Sequence, residues 1–125
     1  MRNKRKTEEP LELEESYRIL SAFCRTFSHP RRLQILSLLA GGEMSVGEIA
    51  ERLGVSMANA SQHLALMREK GVLLTRKQGQ TVYYRVSTPL LLDCVELLRR
   101  ALIETRAREH EKLTAGTGKR SAKAK

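Results

Sequence analysis

Cysteine is scarce in this sequence, with only Cys24 and Cys94 among 125 residues. Two cysteines do not form the dense disulfide framework of a small secreted fold, so in a reducing compartment they start as free thiols. Long apolar runs are also missing, and none is long enough to span a bilayer. Because the stretch MRNKRKTEEP lacks the hydrophobic segment of a signal peptide, we expect a cytoplasmic protein with no membrane partner.

Sequence patterns of catalysis are missing as well. The histidines His29, His63 and His110 are scattered, and no nucleophile and base have a suggestive spacing. Neither a GxGxxG nor a GxxxxGK[ST] phosphate loop occurs. A zinc or arsenite site needs three or four converging donors, and no pair of cysteines or histidines has that local spacing. We therefore expect no enzyme activity, no cofactor and no metal site.

Acidic residues are the minority among the charged side chains. The 14 Asp and Glu stand against 23 Lys and Arg, which gives a formal net charge of +9. Such a charge attracts a polyanion because binding releases condensed counterions, but it does not distinguish DNA from RNA or an anionic membrane. The length fits one domain, and a domain this small often gains burial by dimerising.

Both ends of the chain differ in composition from the middle. Residues 1–12 are basic without an apolar pattern, and residues 114–125 are rich in Gly, Ala, Thr and Lys. We predict disordered basic tails there, which either keep the protein in solution or clamp DNA. One DNA-binding and dimerisation domain is then predicted over residues 13–113.

Apolar residues at helical spacing begin after the first tail. The first helix is predicted to end before Ser28, and Pro30 suits the first turn of a second helix that Ser28 caps. The second helix should end at Gly41. The apolar positions of the first helix are Leu13, Tyr17, Leu20, Cys24 and Phe27, and those expected to be buried in the second are Leu33, Ile35, Leu36, Leu38 and Leu39.

Two serines then mark the starts of two further helices. Ser45 caps the third helix, and Glu48, three residues later, completes a capping box. Gly54 ends that helix, and the fourth runs from Ser56 through Lys70. The inward residues of the fourth helix are Ala60, Leu64 and Met67.

After the fourth helix the apolar pattern becomes alternating. Residues 72–75 and 81–86 are predicted strands, and residues 76–80 form a turn in which Gly79 can take a positive φ. A last helix begins at Pro89 and runs toward Leu113. Two helices separated by a glycine turn and followed by a cationic hairpin suit the binding of duplex DNA.

These segments resemble a known family. The runs FSHPRRLQILSLL and EMSVGEIAERLGVSMANASQHLALMREKGVLLTRKQGQTVYYRV are similar to the ArsR/SmtB family of bacterial repressors over roughly residues 16–105. The resemblance implies a mainly α fold with a small β-hairpin: a winged helix-turn-helix of about five helices and a two-stranded wing. It also implies a homodimer through the first and last helices that binds an inverted-repeat operator and is released by an effector.

Small polar side chains at the start of the fourth helix form the predicted DNA-reading surface. Asn59 and Gln62 can each bond adenine through two hydrogen bonds, whereas Ser56 and Ser61 suit phosphate or water-mediated contacts. The alternatives are that Ser56 only caps the helix, that Asn59 is solvated and that His63 is a packed residue. The predicted DNA contacts are Ser56, Met57, Asn59, Ser61, Gln62, His63, Arg76, Lys77 and Gln80, with Arg31, Arg32, Arg68 and Lys70 as weaker candidates.

The effector is not apparent from the sequence. Family members that sense thiophilic metals carry a cysteine box on the third helix, but residues 43–48 hold no thiol. Members with a zinc site at the dimer interface use Asp and His on the last helix, and the matching positions here are Thr88, Leu90, Ala101 and Glu104. Neither metal site carries over, so the small effector is unknown.

Cys24 and Cys94 are the candidates for a redox or reactive-sulfur switch. Both lie on apolar stripes of helices that, by resemblance, meet at the dimer interface, and a disulfide there would shift the recognition helices. Members that sense reactive sulfur place one cysteine on the second helix, where this chain has Ser37, and the other later on the last helix than Cys94. The alternatives are thiols buried as packing residues and a metal or metalloid site.

The sequence thus predicts a DNA-binding transcriptional repressor that an effector releases, through the thiols or through a metal or metalloid. A different class remains open, in which the winged helix serves protein association or general DNA coating. Asn59 and Gln62 favour specific recognition, because a coating protein needs phosphate contacts alone.

Overall fold

The computed structural model describes the backbone of residues 2–124 and the side chains of residues 12–115. This part of the chain forms two compact units, which divide between Pro89 and Leu90. The helices are α1 Arg2–Cys24, α2 Pro30–Leu39, α3 Val46–Leu53, α4 Met57–Glu69 and α5 Pro89–Ala124, the strands are β1 Met44–Ser45, β2 Leu73–Gln78 and β3 Thr81–Val86, and a 3₁₀ helix spans Arg25–Phe27.

The core of the first unit lies where α2, α3, α4 and the sheet meet. The expected inward residues Ala60, Leu64 and Met67 of α4 are fully buried, which fixes the orientation of that helix. Leu33 of α2 was expected to be buried, but its side chain is 38% exposed because other residues form the buried face of that helix. Those buried residues of α2 are Ile35, Leu36 and Leu39.

The cap of α2 differs from the prediction. His29 is the N-cap, and its Nδ1 accepts a hydrogen bond from the Arg31 amide at 3.1 Å. Ser28 instead donates from its Oγ to the Arg25 carbonyl at 2.7 Å and so closes the preceding 3₁₀ helix. Pro30 occupies the first turn of α2, as predicted, because its fixed φ suits that position.

The caps of α3 and α4 confirm the prediction. Ser45 accepts a hydrogen bond from the Glu48 amide, and the Glu48 carboxylate accepts one from the Ser45 amide, which completes the capping box. Gly54 ends α3 in the left-handed conformation, with φ of 68°. Ser56 caps α4 by accepting a hydrogen bond from the Asn59 amide at 3.0 Å.

The sheet is larger than predicted. It has three antiparallel strands in the order β1-β3-β2, with β1 pairing Met44 with Tyr84 and Ser45 with Tyr83. The wing is also longer, because β2 continues to Gln78 and leaves a two-residue turn in which Gly79 has φ of 61°. Residues 76–78, expected in the turn, therefore lie on a strand.

The predicted tails, residues 1–12 and 114–125, lie outside the described side chains except at Glu12 and residues 114–115. Their predicted disorder, and with it the domain bounds 13–113, stays a prediction. No described helix is both long enough and apolar enough to cross a membrane.

Candidate nucleic-acid interface

The outer face at the start of α4 consists of short polar side chains. The opposite face of α4 is buried in the core through Ala60, Leu64 and Met67. The polar face is therefore held toward solvent. The predicted contact residues that are exposed on this face are Ser56, Met57, Asn59, Ser61 and Gln62.

His63 lies at the contact of α4 with the start of α2 and is half-buried. Its ring centroid is 4.5 Å from that of His29, with the two planes tilted by 48°. Burial lowers the pKa of His63 below its ordinary value of 6.5, and the charges of His29, Arg32 and Arg31 lower it further. A neutral imidazole is therefore favoured here, in contrast to the polar side chains on the outer face of α4.

The two arginines of α2 bind backbone carbonyls. Arg31 donates to the Leu53 carbonyl at 3.2 Å, at the end of α3, and Arg32 donates through Nε to the Thr26 carbonyl at 2.6 Å. The two guanidinium groups thus link α2 to the end of α3 and to the preceding 3₁₀ helix. The other weaker candidates for DNA contact, Arg68 and Lys70, are exposed at the end of α4.

The predicted wing cations differ in their surroundings. Arg76 donates through Nε to both carboxylate oxygens of Glu43, at 3.2 Å each, and through a terminal nitrogen to Gln78 Oε1 at 2.7 Å. Lys77 is exposed and has no hydrogen bond or ion pair with the side chains described. Gln80 is exposed in the turn at the tip of the wing.

Glu43 is a residue of this surface that the sequence did not predict. Hydrogen bonds from Arg76 hold the pKa of its carboxyl below the ordinary value of 4.5, and the charge of Arg85 contributes in the same direction. The sequence could have indicated Glu43 only if β1 had been recognised. Glu43 comes directly before β1, and the pairing of β1 with β3 brings it to the wing. Two residues are too short a strand to recognise from alternation.

Both cysteines are exposed in the isolated chain. Cys24 is the last residue of α1, and Cys94 lies in the second turn of α5. The alternative of thiols buried as packing residues stays a prediction, because such burial would come from the dimer interface and this exposure is that of one chain. Among residues 12–115 no group of three or more His, Cys, Asp or Glu is placed to hold a metal ion.

Comparisons with known proteins agree with this geometry. The family described as bacterial regulatory protein, arsR family, matches residues 29–73, from the cap of α2 to the start of β2. The transcriptional activator HlyU of Vibrio cholerae is 40% identical over 89 residues, which cover 71% of this chain and 82% of HlyU. The chain belongs to the ArsR family. This assignment confirms the predicted winged helix-turn-helix transcriptional regulator, and the relatives are regulators and not enzymes.

Two solved structures and one further relative are also similar to this chain. The solved structure of reduced HlyU superposes with a TM-score of 0.65 over 72% of this chain and 95% of that one. A Mycobacterium bovis fragment, described as a homodimeric winged helix-turn-helix DNA-binding domain, is 28% identical with a TM-score of 0.66 over 73% of this chain and 84% of the fragment. The transcriptional repressor SdpR of Bacillus subtilis is 37% identical over 71 residues, which cover 57% of this chain and 79% of SdpR.

Proposed function

We propose that this ArsR-family regulator is a homodimeric repressor that binds an inverted-repeat DNA operator and is released by a small effector. The observation that carries the proposal is the exposed polar face at the start of α4, held outward by three buried residues on the opposite face. An α-helix fits the major groove, and residues near its N-terminus reach the base edges. Because its ligand would be the chromosome, we also propose a cytoplasmic location.

The proposed contacts divide into base readers and phosphate contacts. Asn59 and Gln62 are the amides that can read adenine, and Met57, 55% exposed, suits the methyl group of thymine. Ser56 and Ser61 suit phosphate oxygens, and Lys77 and Gln80 extend the contact to the neighbouring backbone or minor groove. His63 and Arg76 have protein partners in the free chain, His29 and Glu43. We therefore give them a structural role at this surface and no direct contact with DNA.

Exposed apolar side chains on two helices support the homodimer. On α1, Leu13, Tyr17 and Leu20 are each at least 51% exposed and repeat at helical spacing. Exposed apolar side chains at this density mark a protein interaction surface, and the described Mycobacterium bovis relative is a homodimer. The exposed apolar residues of α5 are Leu90, Leu97, Leu98, Leu102, Ile103 and Leu113.

A thiol switch is the effector mechanism that we propose. Cys24 and Cys94 are exposed and lie on the two helices through which we propose that the dimer forms. Transfer of two electrons from the two thiols to an oxidant, with release of two protons, forms a disulfide within or between subunits. Such a bond would change the spacing of the two recognition helices.

The function is tested by selecting bound duplexes from a random pool and footprinting the enriched sequence. We expect a pseudo-palindrome whose half-sites are one helical turn apart, about 10 base pairs, because each subunit presents one α4. A reporter gene behind that sequence should be expressed less when the protein is present. Binding without any enriched sequence would instead support general DNA coating, and higher reporter expression would support an activator.

A further inference from the structure

Glu43, Arg76, Gln78 and Tyr83 form a connected group on one face of the sheet, here called the Glu43 cluster. Arg76 lies directly opposite Tyr83 across β2 and β3, and its guanidinium carbon is 4.7 Å from the Tyr83 ring centroid. Two guanidinium nitrogens contact the Glu43 carboxylate, and the third donates to Gln78. Each of the three nitrogens of Arg76 therefore makes a hydrogen bond, and one face of its guanidinium plane lies over Tyr83.

This group joins the wing to the helix-turn-helix. Glu43 directly precedes β1, and β1 pairs with β3 through only Met44 and Ser45. Ser45 is at the same time the N-cap of α3, which packs against α4. The short β1 ladder and the Glu43 to Arg76 ion pair are thus adjacent links between the wing and the recognition helix.

Because the Glu43 to Arg76 ion pair is exposed, we expect it to orient the wing and to add little to the stability of the fold. The side chains of Arg76 and Glu43 are 46% and 35% exposed, and ion pairs this open contribute little to the stability of a fold. A bidentate guanidinium to carboxylate pair nevertheless fixes direction, because the two hydrogen bonds share one plane. The pair can therefore set the position of the wing without greatly changing the unfolding temperature.

The cluster also makes Arg76 a poorer partner for DNA phosphate than a free cation. A phosphate would either displace Glu43 or bind the remaining N–H groups of the guanidinium, and in both cases it would meet the charge of that carboxylate. Successive strand residues point to opposite faces, so the adjacent Lys77 projects away from Glu43. Lys77, exposed and unpaired among the described side chains, is the wing cation that can meet phosphate.

Resting on the proposed operator binding, we infer that Glu43 is a positioning residue of the DNA interface. It binds Arg76 to the segment before β1, so the wing is held where Lys77 reaches phosphate, and Arg76 itself makes no phosphate contact. The inference reverses the simple electrostatic expectation. Removing an acidic side chain from a DNA-binding surface should tighten binding, whereas removing Glu43 should weaken it.

The test measures operator binding by fluorescence anisotropy over a range of salt concentrations, for the full chain and its variants. Glu43→Gln and Arg76→Gln should each weaken binding with an unchanged salt slope. The double variant should lose less than the product of the two single losses, by at least about twofold, as expected for contacting residues. Lys77→Gln should instead reduce the salt slope by about one unit per subunit.

Two further variants serve as controls. Glu96→Gln removes a carboxylate that pairs with Arg99 at 3.0 Å on α5, with the same change in net charge, and should not weaken binding. Exchanging the charges, Glu43→Arg with Arg76→Glu, should recover part of the loss. Tighter binding by Glu43→Gln, or a salt slope reduced by Arg76→Gln as much as by Lys77→Gln, would overturn the inference.

A measurement without DNA separates this inference from the proposed function. Hydrogen exchange of the amides in the β1 to β3 ladder should be faster in Glu43→Gln than in wild type, and unchanged in Glu96→Gln. If wild type selects no DNA sequence, operator binding fails while the exchange result still shows whether Glu43 holds the wing. Equal exchange in wild type and Glu43→Gln contradicts the positioning role whatever the DNA result.

Discussion

At the scale of single residues, Gln62 offers the sharpest distinction between reading bases and contacting the backbone. Its side chain is exposed one turn into α4, and an amide there can make two hydrogen bonds to adenine. Gln62→Ala should therefore cost about 1 to 3 kcal/mol on the selected operator and little on random DNA of the same length. Anisotropy titrations on both duplexes check this, and equal losses would assign Gln62 to backbone contact.

His63 gives a prediction for pH. Its folded-state pKa is lowered, first by burial, so the unfolded chain binds a proton more readily than the folded one. The stability that His63 contributes is complete above pH 6.5 and is lost as the pH falls from 6.5 through the lowered value. Urea unfolding at pH 7.5 and pH 5.5 should show a smaller loss on acidification for His63→Gln than for wild type. An NMR titration of His63 with a midpoint at or above 6.5 would contradict the lowered pKa.

At the scale of secondary structure, Ser45 has two roles that one substitution can test. Its side chain caps α3, and its backbone pairs with Tyr83 in the sheet. Ser45→Ala should lower the free energy of unfolding by about 1 kcal/mol through loss of the cap, while the backbone pairing remains. Ser37→Ala, an exposed position within α2, is the matched control and should cost nothing, because alanine is the better helix former. Equal losses would show that the cap contributes nothing specific.

The sequence predicted those elements whose signals are local. Capping boxes, glycine stops and apolar periodicity depend on residues within one or two turns, so α3 and α4 were predicted with their caps. The predicted N-cap of α2, Ser28, was wrong. His29 and Ser28 both carry a hydrogen-bond acceptor, and only the backbone conformation decides between them. Strand β1 was missed because two residues show no alternation.

The candidate site divides in the same way. The exposure of Asn59 and Gln62 follows from the helical period of α4 and was predictable. The partners of Arg76 and His63 come from residues 33 and 34 positions away in the chain, namely Glu43 and His29. Such pairings need the tertiary fold, so the sequence could name the cations of the surface but not which of them were already bound.

At the scale of the whole molecule, the exposed apolar residues of α5 predict how the chain associates. Leu98 is 68% exposed in the isolated chain, and burying such a side chain contributes roughly 1.5 to 3 kcal/mol. Leu98→Glu should shift sedimentation toward the monomer and weaken operator binding, with the far-UV circular dichroism per residue unchanged. Arg100→Glu, exposed on the opposite side of α5 from Leu98, is a charge-changing control and should remain dimeric. A dimeric Leu98→Glu would move the interface away from this residue.

The cysteines carry the proposal for the effector, and the measurement must separate a switch from unspecific oxidation. A disulfide requires that the two Cα atoms come within about 7 Å, which the assembled dimer must provide, and that at least one thiolate meets the oxidant. Arg25 follows Cys24 and Asp93 precedes Cys94, so we expect Cys24 to attack and Cys94 to resolve. Operator binding is measured before and after polysulfide or diamide for wild type, Cys24→Ser and Cys94→Ser. Treatment should weaken wild type, reversibly on reduction, while both variants stay bound. Equal binding by all three after treatment would leave the exposed thiols without a regulatory role and direct the search for the inducer elsewhere.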